Sequence, residues 1–422
     1  MTKKTIQSTF KWLNITQFFG ALNDNLYKLS MAFFLIAANP DIAPDTIMAC
    51  VGAVFVLPFL LFSDAAGALA DRISKQTIIV RLKMLEVILM GSGLIFFYME
   101  NSTGLYLVLF AMCTQSAFFG PAKYGIIPEL VSEEKLSKAN SYFISATFIS
   151  IIIGTLMASL FAGGEKGFVY CGMVCAVISL VGCGASVKIY KTPSKEGRRD
   201  VSIFFFIGIW KTMKSISGHR DLLIAVLISS YFWFSAAFAQ MNLVPYGMDL
   251  MNLTSENSNI AGCLYLFAAF GVGSGALLAG WLSGSEVELG IVPLGAFGLA
   301  VSLVGLNFAA HTFIWAMVLI YFFGISAGLF ILPLNAFIQW KTPEKICGSV
   351  LAATNFLNFT GILCASLMIK VLHGFNLSSG KAFMVTGSIT FIFALGSIIL
   401  LKDFFISFTK GAFDRSIKTL KG

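Results

Sequence analysis

Long apolar segments alternate with short polar turns along almost the whole of this 422-residue chain. We count twelve such segments of about 20 to 28 residues, the length that an α-helix needs to cross a bilayer roughly 30 Å thick. Backbone groups in hydrocarbon find no water, so segments of this length predict helices and not the strands of a barrel. The pattern therefore predicts an all-α membrane protein with twelve transmembrane spans. Their centres are near residues 24, 58, 88, 115, 150, 178, 235, 268, 297, 322, 358 and 391.

Composition and cysteine usage agree with this prediction. Hydrophobic residues make up 57% of the chain and charged residues 12%, whereas a soluble domain carries about 25% charged residues. The first segment is too long for the apolar region of a signal peptide and has no A-x-A-like site, so we expect it to stay as span 1. The eight cysteines form no CxxC pair, so neither a disulfide framework nor a metal site is indicated.

The basic residues indicate the orientation of the chain. If the N-terminus is cytoplasmic, Lys166, Lys370 and Lys381 lie outside, Lys28 lies within the membrane, and the other 25 of the 29 Lys and Arg lie on the cytoplasmic side. The positive-inside rule then predicts that both termini are cytoplasmic. This bias and anionic inner-leaflet lipid account for the net charge of +8, so no nucleic-acid partner is expected. We expect a monomer.

The longest polar interruption, residues 188–220, separates six spans from six. We predict an N-terminal half at 1–189, a cytoplasmic linker at 190–220, a C-terminal half at 221–403 and a cytoplasmic basic tail at 404–422. The linker contains a short apolar piece, so we expect part of it to lie along the membrane interface, as we expect of the amphipathic tail.

The two halves repeat each other. GALADRISK, which begins at Gly67 and ends span 2, corresponds to GALLAGWLSG, which begins at Gly275 and ends span 8. The end of span 4 corresponds to span 10, with Pro121 matching Pro333. A parallel repeat of six helices with a site between the halves is a recurrent transporter architecture.

An acid and a base lie near the middle of span 1, in the segment FGALNDNLYK. If span 1 is a helix from near Lys11 to about Ala38, Asp24 lies roughly 18 Å along it, and Lys28 follows one turn later on the same face. A charge at this depth costs at least about 2.5 to 3.5 kcal/mol. Either the two groups neutralise each other and only hold span 1 in place, or they form a site for a polar substrate or coupling ion. An acid here can bind Na⁺ or a proton.

Other polar side chains within the spans extend this candidate site. Asn23 and Asn25 flank Asp24, and the polar groups of the second half supply dipoles but no charge, so we expect the first half to do the ionic work. The candidate substrate-binding residues are Asp24, Lys28, Asn23, Asn25, Glu86, Gln115, Lys123, Gln240, Asn335, Asn355 and Asn358.

For two of these candidates, a purely structural role is the alternative to substrate binding. Glu86 in span 3 can be neutral, paired with Arg81 or Lys83, or turned toward the inner surface. Lys123 lies close enough to the end of span 4 to reach the surface, but it follows Gly120-Pro121, where we expect a helix break that frees carbonyl groups.

The turn after span 2 carries a recognisable pattern. G-x-L-A-D-R-x-x-K, from Gly67 through Leu69, Asp71 and Arg72 to Lys75, resembles the loop signature of the major facilitator superfamily. The resemblance implies that superfamily's fold, with twelve transmembrane helices in two six-helix halves. It also implies a gate at Asp71, which would pair with a basic group or cap a helix N-terminus in the outward-facing state. The alternative is a positive-inside turn with one counter-charge. The gating candidates are Gly67, Asp71, Arg72 and Lys75.

A narrower resemblance covers two segments. FGALNDNLYK in span 1 and GPAKYGIIPELV at the end of span 4 are similar to the lysophospholipid transporter family and to the transporter half fused to acyl-acyl-carrier-protein phospholipid acyltransferases. The resemblance implies inward flipping of lysophosphatidylethanolamine or lysophosphatidylglycerol for reacylation. No acyltransferase portion is present in this sequence, so we expect a separate polypeptide to carry out any coupled acylation.

Elementary chemistry is compatible with that substrate, but other functions stay open. A lysophospholipid needs a cation, an anion and an apolar wall, which Lys28, Asp24 and some of the 42 phenylalanines can supply. The competing hypothesis is proton- or sodium-coupled export of an amphipathic drug or siderophore. A scaffold protein on an inactive transporter fold would tolerate loss of both charges. The absence of G-x-x-x-x-G-K-[ST], H-E-x-x-H and G-x-S-x-G motifs argues against an enzyme, and no cofactor besides a coupling ion is expected.

Overall fold

The computed structural model describes residues 3–39, 41, 44–161, 166–191, 205–251, 263–283, 287–309 and 312–410. Throughout these ranges the regular elements are helices joined by short turns. The first part of the chain contains α1 (Lys3–Ala38), α2 (Pro44–Arg72), α3 (Lys75–Tyr98), α4 (Ser102–Gly125), the one-turn α5 (Ile127–Leu130), α6 (Glu133–Phe161), α7 (Gly167–Val187) and α8 (Phe205–Ile216).

The second part of the chain continues the same pattern. It contains α9 (Arg220–Met251), α10 (Cys263–Ser283), α11 (Val292–Phe308), α12 (Phe313–Lys341), α13 (Cys347–Gly374), α14 (Ser379–Leu400) and α15 (402–410). Short 3₁₀ turns at Leu289–Ile291 and Glu344–Ile346 precede α11 and α13.

Each of the twelve predicted span centres lies within one long helix. Ten of the described helices are long and apolar enough to cross a membrane. The two remaining spans are α1, with 36 residues, and α3, with 24. Both are long enough to span a bilayer, but their middles carry the polar and charged side chains that form the site described below.

Two details of the helices differ from expectation. α1 begins at Lys3 and not near Lys11, because nothing in the polar segment before the apolar run breaks a helix. The break expected at Gly120-Pro121 is wrong, since α4 continues through Pro121 to Gly125. A proline removes only one backbone donor, and this one lies so close to the end of α4 that the helix closes around it.

The helices form two compact groups. The first group comprises Met1–Val131, Ile149–Ser215 and Thr342–Phe356, and the second comprises Ser132–Phe148, Ile216–Lys341 and Leu357–Gly422. α6 and α13 therefore each contribute one portion to each group. The boundaries predicted along the chain, at 189, 220 and 403, stay a prediction.

Small residues let the helices of each group approach closely. In the second group, a Cβ at Gly271 of α10 would lie 2.8 Å from the Cα of Gly324 in α12. In the first group, a Cβ at Gly154 of α6 would lie 2.7 Å from the carbonyl oxygen of Leu22 in α1. Such contacts are tighter than side chains allow, and glycine at helix crossings is the usual means of packing helices in membranes.

An aromatic core anchors α1 in the first group. The buried Tyr27 donates a hydrogen bond to the carbonyl oxygen of Leu105, at 3.2 Å. Its ring packs edge-on against Phe97, which also contacts Phe34 and Phe168. This cluster fixes the rotation of α1, and with it the direction in which Asp24 and Lys28 point.

We expect Gly271→Val to weaken the packing of α10 against α12, because the added atoms would overlap α12 backbone. Overpacking of this kind costs about 1–3 kcal/mol, so the apparent melting temperature in detergent should fall. Gly273→Val is the matched control on the same helix, since a Cβ there meets nothing within 4 Å. Equal melting temperatures for the two variants would contradict the close crossing.

Candidate functional site

A buried ion pair lies at the centre of the first group. Lys83 and Glu86 of α3 form an i, i+3 pair with 2.5 Å between Nζ and Oε2, and their side chains are 1% and 2% exposed. The ammonium of Lys83 also lies 5.2 Å from the centroid of the Phe119 ring. A charge this deep normally requires such a partner. Of the alternatives considered for Glu86, the structure contains the pairing with Lys83.

Neutral side chains complete the environment of Glu86. Asn23 of α1 donates to Oε1 at 3.2 Å, and Gln115 of α4 lies 3.5 Å from Oε2 while also donating to the carbonyl oxygen of Leu82. Glu86 therefore joins α1, α3 and α4. Because both of its oxygens are occupied and it is 2% exposed, it holds the site together and does not face a ligand.

A hydrogen-bonded chain continues from Gln115 to Asp24. The hydroxyl of Ser116 lies 3.3 Å from Gln115 Oε1 and 2.9 Å from Asp24 Oδ2. Asp24 itself is only partly buried. Its carboxylate is thus fixed from one side by α4, while the remainder of the group is left for contact with something else.

Asp24 and Lys28 do not form a direct ion pair in the structure. Both residues are described, and no ion pair joins them, although they share a helix face one turn apart. Asp24 turns to Ser116, while the ammonium of Lys28 lies over the ring of Phe55 in α2, 4.5 Å from its centroid. An aromatic face attracts a cation but does not cancel its charge. Lys28 is thus a half-buried cation that makes no direct ion pair among the described residues, although the carboxylate of Asp24 still interacts with it electrostatically.

Lys123 of α4 lies near the same aromatic ring, that of Phe119, as Lys83. Its ammonium donates to Gln17 Oε1 at 2.9 Å and lies 5.3 Å from the ring centroids of both Phe119 and Tyr124. Its contacts are with neutral groups. The three lysines and two carboxylates of this region therefore leave one positive charge unbalanced when all are ionised, which favours an anionic ligand.

The other candidate residues are dispersed. Asn25 donates to the carbonyl oxygen of Ala21 in its own helix, so it is turned away from the network. Asn355 of α13 belongs to the first group, where a Cβ at Gly120 would lie 3.0 Å from its Nδ2.

Three candidates belong to the second group. Gln240 is exposed, Asn335 is half-buried, and the buried Asn358 accepts a hydrogen bond from Ser229 at 3.2 Å. Among the described residues these three side chains form no ion pair, and the expectation that the first half does the ionic work stays a prediction.

Asp71 lies at the N-terminus of α13, within the first group. Its Oδ1 accepts a hydrogen bond from the backbone N–H of Gly348 at 2.6 Å, and its Oδ2 accepts from Ser349 N at 2.9 Å and Ser349 Oγ at 2.5 Å. This is the geometry of a helix cap, in which a carboxylate satisfies the free donors of the first turn.

The neighbours of Asp71 tighten this junction. A Cβ at Gly67 would lie 2.6 Å from the Cβ of Ala352, so glycine lets α2 and α13 touch. Lys75 forms a buried ion pair with Glu129 of α5, at 2.6 Å. Arg72 is exposed. Of the four gating candidates, Gly67 and Asp71 contact α13 directly, whereas Lys75 anchors the start of α3.

The second group contains an uncharged junction at the start of α6. Asn140 and Gln339 exchange two hydrogen bonds, at 3.1 and 3.0 Å, and both are buried. At the next residue along α6, a Cβ at Gly280 of α10 would lie 2.8 Å from Ser141 Oγ. Gly280 lies in the segment that repeats the end of span 2. The junction of the first group therefore contains the carboxylate of Asp71, whereas the corresponding region of the second group contains amides and small residues.

Sequence reasoning missed Ser116 and Gln17 and treated Lys83 only as a partner. Ser116 and Gln17 are small or neutral residues within apolar segments, so they carry no pattern of their own. Lys83 and Glu86 do carry a signal, because an i, i+3 pair of opposite charges within a predicted span indicates mutual burial.

A duplicated set of twelve long helices, with a buried charged network in one half and a carboxylate-capped junction beside it, defines a membrane carrier. A sequence profile of the Major Facilitator Superfamily matches residues 13–366. The chain belongs to that superfamily, and it is a multi-pass membrane protein with the predicted fold.

Its sequence is similar to bacterial proteins named Lysophospholipid transporter LplT. The relative from Photorhabdus laumondii is 25% identical over 377 residues, covering 88% of this chain and 89% of the relative. The relative from Cronobacter sakazakii is 28% identical over 357 residues, covering 83% and 85%. An Escherichia coli relative is 26% identical over 371 residues, covering 85% and 88%.

Solved structures support the fold. A human organic anion transporter superposes with a TM-score of 0.76 at 10% identity, covering 95% of this chain and 100% of that one. A bacterial homologue of the iron transporter ferroportin gives 0.70 at 15% identity, with coverages of 95% and 99%. The proton:xylose symporter XylE gives 0.70 at 12%, with coverages of 94% and 96%. At these identities the likeness concerns the fold alone.

We expect Glu86→Leu to destabilise the protein strongly, because it leaves Lys83 as an unpaired buried charge. Breaking a buried pair from one side costs about 3–5 kcal/mol, whereas replacing both partners with apolar residues is often neutral. The double variant Lys83→Met/Glu86→Leu should therefore recover much of the lost thermal stability in detergent. A double variant less stable than Glu86→Leu alone would show that the pair is not mutually compensating.

Proposed function

We propose that this chain is a lysophospholipid transporter that moves lysophosphatidylethanolamine and lysophosphatidylglycerol across the bacterial inner membrane for reacylation. The observation that carries the proposal is the half-buried Lys28, which makes no direct ion pair among the described residues and lies one turn from Asp24. The names of its relatives point to the same substrate class.

Lys28 is the proposed ligand of the lipid phosphate. A cation that contacts an aromatic face and makes no direct ion pair gains much from a bound anion, and the surplus positive charge of the network attracts one. Lysine serves as a point charge for phosphate and does not require a bidentate geometry. The phosphate is common to both head groups, so this contact would serve either lipid.

Asp24 is the proposed ligand of the ethanolamine ammonium. Ser116 holds one of its oxygens, and the group is only partly buried, so the rest of the carboxylate can receive a cation. In a lysophospholipid without an ammonium, Na⁺ or a proton can take that place. This gives Asp24 a second role as the coupling-ion site.

The acyl chain is assigned to an aromatic row on α2. Phe55, Phe59 and Phe62 recur at spacings of four and three residues and therefore share one helix face. All three are partly exposed. The first member carries the ammonium of Lys28 on its ring, so the row begins at the phosphate ligand and extends along α2 as an apolar wall.

The cap at Asp71 is the proposed gate. It ties the end of α2 to the start of α13 in the first group, and it must break if those ends separate during alternating access. Alternating access predicts two global states with different contacts at this junction. The bilayer and a separate acyltransferase are the proposed partners, with both termini in the cytoplasm.

We expect Lys28→Ala to abolish uptake of labelled lysophosphatidylethanolamine into proteoliposomes, because the phosphate loses its cation. Lys166→Ala, an exposed lysine outside the spans, should transport at the wild-type rate. Imposed Na⁺ and proton gradients on the wild type identify the coupling ion. No uptake by the wild type, together with efflux of a hydrophobic drug, would instead indicate an exporter.

Asp24→Asn should discriminate between head groups. Because the proposed contact is with the ammonium, the variant should raise the KM for lysophosphatidylethanolamine by more than about tenfold, the effect of 1.4 kcal/mol. The KM for lysophosphatidylglycerol should change less, provided that the ion gradient is absent in both assays. Equal losses for both lipids would assign Asp24 to ion coupling and not to the head group.

Asp71→Asn should lower the maximal transport rate while leaving KM nearly unchanged. The carboxylate of Asp71 accepts hydrogen bonds from Gly348 and Ser349 with both oxygens, whereas the asparagine amide replaces one of these oxygens with an N–H donor. The cap therefore weakens, while the surroundings of Lys28 do not change. Asp403→Asn is the control of the same chemistry, since Asp403 is exposed and lies outside the proposed gate. A variant whose KM rises while its maximal rate stays the same would place Asp71 in the binding site.

A further inference from the structure

The linker contains a helix whose outer face has no role in the proposed transport site. α8 has twelve residues, Phe205–Ile216. Ile209, Thr212 and Ile216 are 5%, 3% and 0% exposed and form its inner face.

The opposite face of α8 is exposed and mixes apolar with basic side chains. Trp210 is 73% exposed and Ile207 45%, and Lys211 and Lys214 are also exposed. These four residues fall at i, i+3, i+4 and i+7, so they share one face. Tryptophan and lysine on one face of a short helix are typical of helices that lie in the membrane interface.

The inner face of α8 contacts the helix that carries the proposed gate. Gly208 lies so close to the carboxylate of Asp64 in α2 that a Cβ on Gly208 would overlap it. This contact is in the first turn of α8, where helix N–H groups concentrate and favour a carboxylate. Glycine is required here because any side chain would displace Asp64.

Asp64 and Asp71 are related by helical geometry. Seven residues separate them, which places them on the same face of α2, about 10 Å apart. Asp71 caps α13 and Asp64 contacts α8, both within the first group. One face of α2 therefore contacts α13 through Asp71 and α8 through Asp64.

The depth of α8 follows from the length of α2. The 29 residues of α2 span about 43 Å, roughly 13 Å more than the hydrocarbon thickness. Asp64 lies eight residues, about 12 Å, before the end of α2. With that excess length at the cytoplasmic end of α2, Asp64 lies near the membrane boundary, and there the exposed tryptophan of α8 can enter the interface and its lysines can reach lipid phosphates.

We infer that α8 is a contact surface for the anionic lipids of the inner leaflet, and that this contact stabilises the cap at Asp71 through Asp64. Binding of the exposed face fixes α8 on the membrane. Because Gly208 lies against Asp64, a fixed α8 also restrains the end of α2. The inference goes beyond the proposed substrate, and only its second part refers to the proposed gate.

Hydrogen–deuterium exchange in lipid nanodiscs tests this without any transport substrate. The wild type is compared in phosphatidylcholine alone and in phosphatidylcholine mixed with phosphatidylglycerol. We expect several-fold slower exchange of Phe205–Ile216 in the anionic discs, and also of the Gly348 and Ser349 amides, which donate to Asp71. Exchange of α8 that is the same in both lipids would overturn the lipid contact, whatever the fate of the transport assays.

Charge variants separate a specific contact from a general effect of anionic lipid. Lys211→Gln/Lys214→Gln should lose the lipid dependence of exchange in α8. Lys135→Gln/Lys138→Gln is the matched control, because it removes two exposed lysines with the same spacing at the start of α6. If the control loses the dependence equally, α8 is not the contact.

Gly208→Val tests the connection between α8 and the cap. The added side chain should displace Asp64, so the Gly348 and Ser349 amides should exchange faster in both kinds of disc. Gly218→Val is the control in the same linker, since a Cβ at Gly218 meets nothing within 4 Å. Unchanged exchange of Gly348 and Ser349 in Gly208→Val would overturn the coupling between α8 and the cap.

Discussion

Because the bilayer interior has low polarity, every charge within a span is costly unless a neighbouring group compensates it. In the first group, α3 provides this compensation locally with the pair Lys83 and Glu86, and α1 and α4 add the amides that saturate Glu86. Once that pair is satisfied, the position of α4 fixes Ser116, and Ser116 fixes Asp24. The geometry of the candidate site thus depends on an ion pair that does not face a ligand.

The helix α2 connects the elements that the proposed function requires. Its outer part carries the row of phenylalanines that begins beside Lys28, and its inner part carries Asp64 and Asp71. All three belong to one continuous helix, although Pro58 lies inside it between Phe55 and Phe59, so a displacement of α2 moves the ligand wall, the linker contact and the cap. This arrangement gives a physical route by which occupancy near Lys28 can affect the junction at α13, about 24 Å away along the helix.

Much of the fold could be predicted from the sequence, because span length and positive-inside bias follow directly from the physics of the bilayer. Asp24 and Lys28 could also be singled out as candidates, since a charge within an apolar run is conspicuous. Their separation was not predictable, because an i, i+4 spacing shows only that two side chains can meet. Whether they do depends on competing partners from other helices, here Ser116 for one and Phe55 for the other. Neutral residues such as Ser116 and Phe55 cannot be recognised as partners from a hydropathy pattern.

The cap between α2 and α13 has an unequal tolerance to mutation. Two of its three donors are backbone N–H groups, those of Gly348 and Ser349. Almost any residue at those positions retains the N–H, although bulk at Gly348 is limited by the nearby backbone of Gly67. Asp71 is the only side chain that supplies the acceptors. Substitutions at the α13 end can therefore retain most of the cap, whereas a substitution at Asp71 removes its acceptors and leaves the junction to packing contacts such as Gly67 against Ala352.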